Sequence, residues 1–91
     1  MFRMWIKEFK DNRMLKDYVW EGTDPDMTRT KKVLTGLEKG CEEFDLSIPI
    51  WLDKNIDEFK NASKARFHKD NFIEDIEFDY LEIQVIEEDM W

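Results

Sequence analysis

The first 22 residues contain two segments in which apolar and charged residues alternate, separated by a short polar segment. Alternation with a period of two is typical of β-strands, so this pattern predicts a β-hairpin. A two-residue turn at residues 11–12 would place Lys7 opposite Lys16, whereas a three-residue loop at residues 11–13 places Glu8 opposite Lys16. The second register also forms these pairs: Arg3–Glu21, Met4–Trp20, Trp5–Val19, Ile6–Tyr18, Lys7–Asp17 and Phe9–Leu15. Because cross-strand pairs of this kind are stabilising, we predict the three-residue loop.

In this register both faces of the hairpin are apolar. One face carries Phe2, Met4, Ile6, Tyr18 and Trp20, and the other carries Trp5, Phe9, Leu15 and Val19. A small antiparallel sheet usually buries one face and exposes the other, so here each face needs cover. The main helix can cover one face; residues 48–76, a second copy of the chain or a partner protein can cover the other. Large exposed apolar patches are unusual in monomers, which makes the second face a candidate interface.

A helix is predicted after the hairpin, with Thr23 or Asp24 as its cap and Pro25 in its first turn. One apolar face is expected from residues at alternating spacings of three and four, namely Met27, Thr30, Leu34, Leu37, Cys41 and Phe44. Gly36 and Gly40 either allow close approach of a neighbouring element, or Gly40 ends the helix early.

A second, shorter helix is predicted to begin with Asp53 as its cap, with Ile56 and Phe59 facing inward. Residues 65–75 predict either a short strand around Phe67 or a turn closed by residues 70–71. The last strand is predicted over about residues 77–87. Its apolar residues change face halfway along, which indicates a β-bulge near Tyr80. The expected fold is therefore α+β, with an N-terminal hairpin, a main amphipathic helix, a short second helix and a long C-terminal strand in a small antiparallel sheet.

Length and charge restrict the function classes. The 91 residues predict a single domain, 1–91, with residues 87–91 frayed. A net charge of −8 disfavours nucleic acid and anionic membranes as partners, and no apolar run is long enough to span a bilayer. One cysteine and the absence of a recognisable export signal predict a cytoplasmic location.

The residues offer few candidates for chemistry. On a strand, Glu77 and Asp79 would project from one face, where two acids can bind a divalent ion or act as an acid/base pair. The sequence supplies no companion for them, and His68 is the one histidine of the chain. A solvated face neutralised by Arg3 and Lys7 is the simpler interpretation of the acidic strand. We therefore assign no catalytic residue and no cofactor, and we keep Glu77 and Asp79 as metal candidates.

Several strings of the sequence occur together and cover most of the chain: KDNRML at residues 10–15, TRT at 28–30, EFDLSIPIWLDKNIDEFK at 43–60, DNFIE at 70–74 and FDYLEIQVIEED at 78–89. With them the chain resembles a family of short, uncharacterised bacterial proteins. The resemblance implies an intracellular bacterial protein. It brings no activity, cofactor or catalytic residue to these positions.

The function expected from the sequence is a non-enzymatic, cytoplasmic protein-interaction module that binds a partner protein or itself as a homodimer. Its candidate interface residues are Trp5, Phe9, Leu15, Val19 and Trp51, the last being either a core residue or a surface anchor. The alternative is a divalent-metal-binding protein or metal-assisted hydrolase that uses the C-terminal carboxylates. A third hypothesis, mimicry of nucleic-acid phosphates, requires acids spread along an exposed face and not paired with Arg3 and Lys7.

Overall fold

The structure is a computed structural model that describes residues 1–88. Its elements are β1 (Phe2–Lys10), β2 (Arg13–Gly22), α1 (Arg29–Glu43), α2 (Asp53–Ala62), β3 (Lys64–Phe67), a 3₁₀ turn (Lys69–Asn71) and β4 (Tyr80–Glu87). The four strands form one antiparallel sheet in the order β2-β1-β4-β3. The predicted α+β fold is confirmed, and β3 joins the sheet at its far edge. No helix within residues 1–88 is long and apolar enough to cross a membrane.

The hairpin has the predicted register along most of its length, but its turn differs from the prediction. Six pairs from Arg3–Glu21 to Glu8–Lys16 are as expected. The chain turns at Asp11 and Asn12, whose φ angles of 52° and 63° suit the two-residue turn that follows the twist of a hairpin. Phe9 pairs with Met14 and not with the predicted Leu15, which is the extra residue of a β-bulge. The loop is therefore one residue shorter than predicted, and the unpaired residue lies in the bulge instead.

The last strand begins at Tyr80, three residues later than predicted. The predicted bulge near Tyr80 is wrong, because residues 76–79 precede the strand and the pairing of Tyr80 through Val85 with β1 is continuous. The irregularity lies at the other end, where Val85 pairs with Met4 but Glu87 pairs with Arg3. The change of face in the sequence arises because Phe78 lies in the loop before β4 and does not follow the alternation of the strand. Its ring packs against Phe72 with ring centroids 6.0 Å apart.

Helix α1 covers one face of the hairpin. It begins later than predicted: Thr28 is its cap and accepts a hydrogen bond from the backbone N–H of Lys31. Residues 24–27 form a turn instead, closed by the Asp24 carboxylate and carbonyl. The buried face of the helix is also rotated relative to the prediction, since it consists of Val33, Gly36, Leu37, Gly40 and Cys41, whereas Leu34 is 46% exposed.

Both glycines of α1 allow close approach to β1, as one alternative of the sequence analysis predicted. A Cβ atom at Gly36 would lie 2.7 Å from Met4 Cε, and one at Gly40 would lie 2.7 Å from Ile6 Cγ1. These distances are shorter than van der Waals contact, so a side chain at either position would require its neighbours on β1 to shift.

Helix α2 and β3 complete the core beside β4. Phe59 of α2 is buried as predicted, whereas Ile56 is 40% exposed. Asp53 is the first residue of the helix and not its cap, a position taken by Leu52. The side chains of Asn55, in α2, and Asn71, in the 3₁₀ turn, are fully buried and share a hydrogen bond of 2.7 Å. They also form hydrogen bonds with the backbone of residues 50, 52, 66 and 68. This satisfied polar network fixes the chain segments on either side of α2.

All of these segments pack on the same face of the sheet. The buried strand residues point toward the helices: Phe2, Met4 and Ile6 of β1, Leu81 and Ile83 of β4, and Ala65 and Phe67 of β3. Since neighbouring residues of a strand face opposite sides, the residues between them form the other face of the sheet.

Candidate functional site: the open face of the sheet

The open face of the sheet carries side chains from all four strands: Arg3, Trp5, Lys7 and Phe9 of β1, Met14, Asp17, Val19 and Glu21 of β2, Tyr80, Glu82, Gln84 and Glu87 of β4, and Lys64 and Arg66 of β3. Both helices contact the sheet through the residues of its other face. Within residues 1–88, therefore, no helix covers the open face.

Four charged residues with alternating signs cross the open face in one line, which we call the ionic row: Asp17, Lys7, Glu82 and Arg66, in the strand order β2-β1-β4-β3. Lys7 Nζ lies 3.1 Å from Glu82 Oε2, and Arg66 Nε lies 3.3 Å from Glu82 Oε1. The side chains of Lys7 and Glu82 are only 9% and 5% exposed. The centre of the row is thus an ion pair that is largely removed from water.

Aromatic rings lie on both sides of the ionic row. On one side, the Trp5 ring lies under the Lys7 ammonium, 4.0 Å from ring centroid to Nζ, and its indole N–H donates to Asp17 Oδ2 at 2.8 Å. On the other side, Phe9 and Tyr80 stack with centroids 5.1 Å apart, and the Arg66 guanidinium lies 4.8 Å from the Tyr80 ring. These contacts hold the rings in place, which reduces the entropy that they would lose on binding.

The ionisation of Glu82 follows from its partners. Burial alone raises the pKa of this carboxyl, but hydrogen bonds and charge from Lys7 and Arg66 outweigh burial and hold the pKa below its usual value of 4.5. The Glu82 carboxylate is therefore charged at neutral pH and fixes three cations, since Lys64 Nζ also lies 3.8 Å from it.

Three of the five predicted interface residues meet on the open face. Trp5, Phe9 and Val19 lie there and are partly exposed. Sequence reasoning missed Tyr80, because the expected bulge left its facing undefined; its pairing opposite Phe9 depends on where β4 begins.

The other two predicted residues lie elsewhere. Leu15 is displaced by the bulge to the helix side, where it lines a cavity with Phe44 and Leu46 and remains 52% exposed. Trp51 lies on the helix side as well, edge-on to Phe59 and Phe67 at 5.8 and 5.0 Å between ring centroids. Of its two predicted roles, it takes that of a residue packed against the core.

The metal candidates do not lie on a strand as expected, since both precede β4. Asp79 Oδ2 accepts a hydrogen bond from the backbone N–H of Asp11 at 2.8 Å, which ties the hairpin turn to the loop before β4. Glu77 is exposed at the edge of the cavity near Leu15. In the described part of the chain, no three His, Cys, Asp or Glu side chains are grouped so that they could hold a metal ion.

Three acids of the C-terminal strand and the residue after it are paired with bases. Glu82 binds Lys7, Glu87 lies 3.5 Å from Arg3, and Glu88 binds Arg29 at 2.9 Å. Mimicry of nucleic-acid phosphates requires these acids to be unpaired, so the arrangement disfavours that hypothesis. The single cysteine, Cys41, is buried in α1, and burial raises the pKa of its thiol to about 12. At neutral pH it is therefore a protonated core residue.

Comparison of the chain with protein-family models, with curated proteins and with solved structures found no match.

Proposed function

We propose that this chain is a non-enzymatic, cytoplasmic protein-interaction module that binds a protein partner through the open face of its sheet. The single observation that carries the proposal is the position of both helices on the same face, which leaves Trp5, Phe9 and Val19 partly exposed on the other. An antiparallel sheet with a solvated face normally presents polar residues there, and tryptophan and tyrosine are enriched where proteins bind each other.

The charges of the open face support binding over catalysis. The lysine and the carboxylate at the centre of the face are paired with each other and almost fully buried, so a substrate would have to displace one from the other to exchange a proton with either. A paired and nearly neutral centre can be buried by a partner with a smaller desolvation cost than isolated charges would impose. The buried thiol of Cys41 and the resemblance to short bacterial proteins support a bacterial cytoplasmic setting.

A photo-crosslinking experiment tests the proposal. A benzophenone amino acid would replace Val19 on the open face in one variant and Ile73 in a control, since Ile73 is 86% exposed in the loop before β4. Irradiation of living cells is expected to give discrete protein adducts from position 19 and only diffuse background from position 73. Equal adduct patterns from the two positions would refute the assignment of the open face as the binding surface.

A further inference from the structure

The open face has a symmetry in its charges that identifies one particular partner. We infer that the open face binds the same face of a second copy of this chain, with a two-fold axis parallel to the strands. This inference rests on the proposed function and specifies its partner.

The ionic row carries the argument. Its four charges alternate in sign across the sheet, negative on β2, positive on β1, negative on β4 and positive on β3. A two-fold axis parallel to the strands, placed between the two facing sheets, reverses the strand order of the second copy. Asp17 then lies over Arg66 of the second copy, and Lys7 lies over Glu82 of the second copy. Every charge of the row meets an opposite charge, as electrostatic complementarity at an interface requires.

The alternative two-fold axis fails the same test. An axis that crosses the strands at the ionic row preserves the strand order, so Asp17 would lie over Asp17 of the second copy and Lys7 over Lys7. Like charges in direct contact cost several kcal/mol and exclude that arrangement. The charge pattern therefore favours an axis parallel to the strands over one that crosses them at the ionic row.

Two other rows of the open face fit the same axis. Phe9 and Tyr80 pair across β1 and β4, so reversal of the strand order places Phe9 over Tyr80 of the second copy. Arg3 in the same way lies over Glu87 of the second copy. Facing sheets pack with their strands rotated by about 30°, which moves the ends of a row about 14 Å long by only about 4 Å. The long side chain of Arg66, at one end of the row, can follow a shift of that size.

The size of the face sets the expected strength of the dimer. Four strands about 4.8 Å apart and a usable length of about 20 Å give a footprint of roughly 400 Å² per copy. Stable interfaces bury about 800 Å² per partner, so this contact belongs with the weaker, reversible ones. We expect a dimer that forms in the micromolar range or above and dissociates on dilution.

Sedimentation velocity of the purified protein between about 10 and about 500 µM provides the first test. The wild type is expected to shift from monomer to dimer over this range. A wild type that stays monomeric at every concentration would overturn the inference. The proposed function would survive that result if position 19 still gave adducts with other proteins in cells, and it would fall if those adducts were missing as well.

Charge exchange tests the axis. Asp17→Arg and Arg66→Glu, each alone, place like charges in contact and are expected to weaken the dimer at least tenfold. An equimolar mixture of the two variants restores opposite charges at both contacts, so it is expected to form a heterodimer. Glu38→Arg makes the same charge change on the exposed side of α1 and is expected to leave dimerisation unchanged. Circular dichroism checks that each variant is folded.

Two results would count against the arrangement. If both single variants dimerised like the wild type, the copies would meet through another surface. If both were folded and monomeric but the mixture also stayed monomeric, Asp17 would not face Arg66 of the second copy. Should Arg66→Glu fail to fold beside Glu82, dilution of the wild type followed by NMR replaces it. The indole N–H signal of Trp5 is then expected to shift with concentration, while that of Trp51 stays constant.

Discussion

The ammonium of Lys7 and the carboxylate of Glu82 lie 3.1 Å apart, at the middle of a sheet face that no helix of the described chain covers. Lys7 also donates to Gln84 at 3.0 Å, and Glu82 also binds Arg66, so the pair is held from both sides. Because neighbouring side chains exclude most of the water, the two groups depend on each other more than an ordinary surface pair does.

Removal of the Glu82 charge should therefore be costly. Glu82→Gln leaves Lys7 buried without an anionic partner, and we expect the free energy of unfolding to fall by about 3 kcal/mol. The control is Glu87→Gln, which removes a half-exposed pair with Arg3 and should cost less than about 1 kcal/mol. Urea unfolding of both variants measures the difference. Equal losses would show that the central pair is no more important than a surface pair.

The pH dependence of stability should contain two opposite contributions. The pKa of Glu8 is raised above 4.5 because burial outweighs the nearby charge of Lys16, whereas that of Glu82 is lowered. A raised pKa means that the folded state binds the proton more tightly. The free energy of unfolding therefore falls as the pH rises from the unfolded pKa of Glu8 through its folded pKa, and it stays lower above that. The contribution of Glu82 has the opposite sign: it is present above pH 4.5 and is lost as the pH falls through its folded pKa.

Glu8→Gln separates these two contributions. We expect the variant to melt a few degrees higher than the wild type at pH 7, because it no longer buries a charged carboxylate. Most of the advantage should disappear near pH 4, where Glu8 of the wild type is mostly protonated in both the folded and the unfolded state. Thermal melts at the two pH values check this, and a gain that persists unchanged at pH 4 would contradict it.

The two glycines of α1 should differ in their tolerance of alanine. Each replacement gains about 1 kcal/mol of helix propensity. At Gly36 the new Cβ meets Met4 Cε, the end of a flexible side chain, and lies 3.0 Å from Cε3 of the Trp20 ring, whereas at Gly40 it meets three carbons of Ile6 close to the backbone. We expect Gly40→Ala to destabilise the fold by about 2 kcal/mol and Gly36→Ala to be nearly neutral.

A compensating variant tests this explanation. Ile6→Ala removes Cγ1 and Cγ2, the two atoms nearest to a Cβ at position 40, so the double variant with Gly40→Ala should lose less than the sum of the two single losses. Urea denaturation of the four proteins provides the comparison. Strict additivity would mean that the cost at position 40 has another origin.

The hairpin turn should be sensitive to the residue at position 12. Asn12 has a φ of 63°, where Asn and Gly are tolerated and residues with a plain Cβ are strained. We expect Asn12→Ala to lower the free energy of unfolding by about 1 kcal/mol, and Asn12→Gly to leave it unchanged or slightly higher. A three-residue loop would place its special conformation at Arg13 and would show no such contrast at position 12.

Much of the fold could be predicted because pairing is encoded locally. The charges of β1 and β2 oppose each other in one register only, which is why six pairs were correct. The turn and the bulge could not be predicted, because two arrangements give the same pairs from Glu8–Lys16 onward. One is a two-residue turn followed by a bulged residue, and the other is a three-residue loop. Only the φ angles of Asp11 and Asn12 distinguish the two.

The candidate site was predicted less completely. Alternation in β1 placed Trp5 and Phe9 together on one face of the hairpin, but it gave no information about which of the two faces the main helix would cover. The ionic row requires β3 and β4 to align with β1, and the pairing of Arg66 with Glu82 joins residues 16 positions apart through a short strand that was one of two alternatives. Such non-local pairing depends on the whole sheet and not on a sequence period.

The extra residue at Leu15 separates the tip of the hairpin from the rest of the sheet. Changes in loop length between Phe9 and Met14 can be taken up there, while the six pairs beyond the bulge keep their alignment. Peptides inserted between Asp11 and Asn12 should consequently leave the six pairs beyond the bulge aligned, which makes the tip a convenient place for an epitope or a fluorescent label.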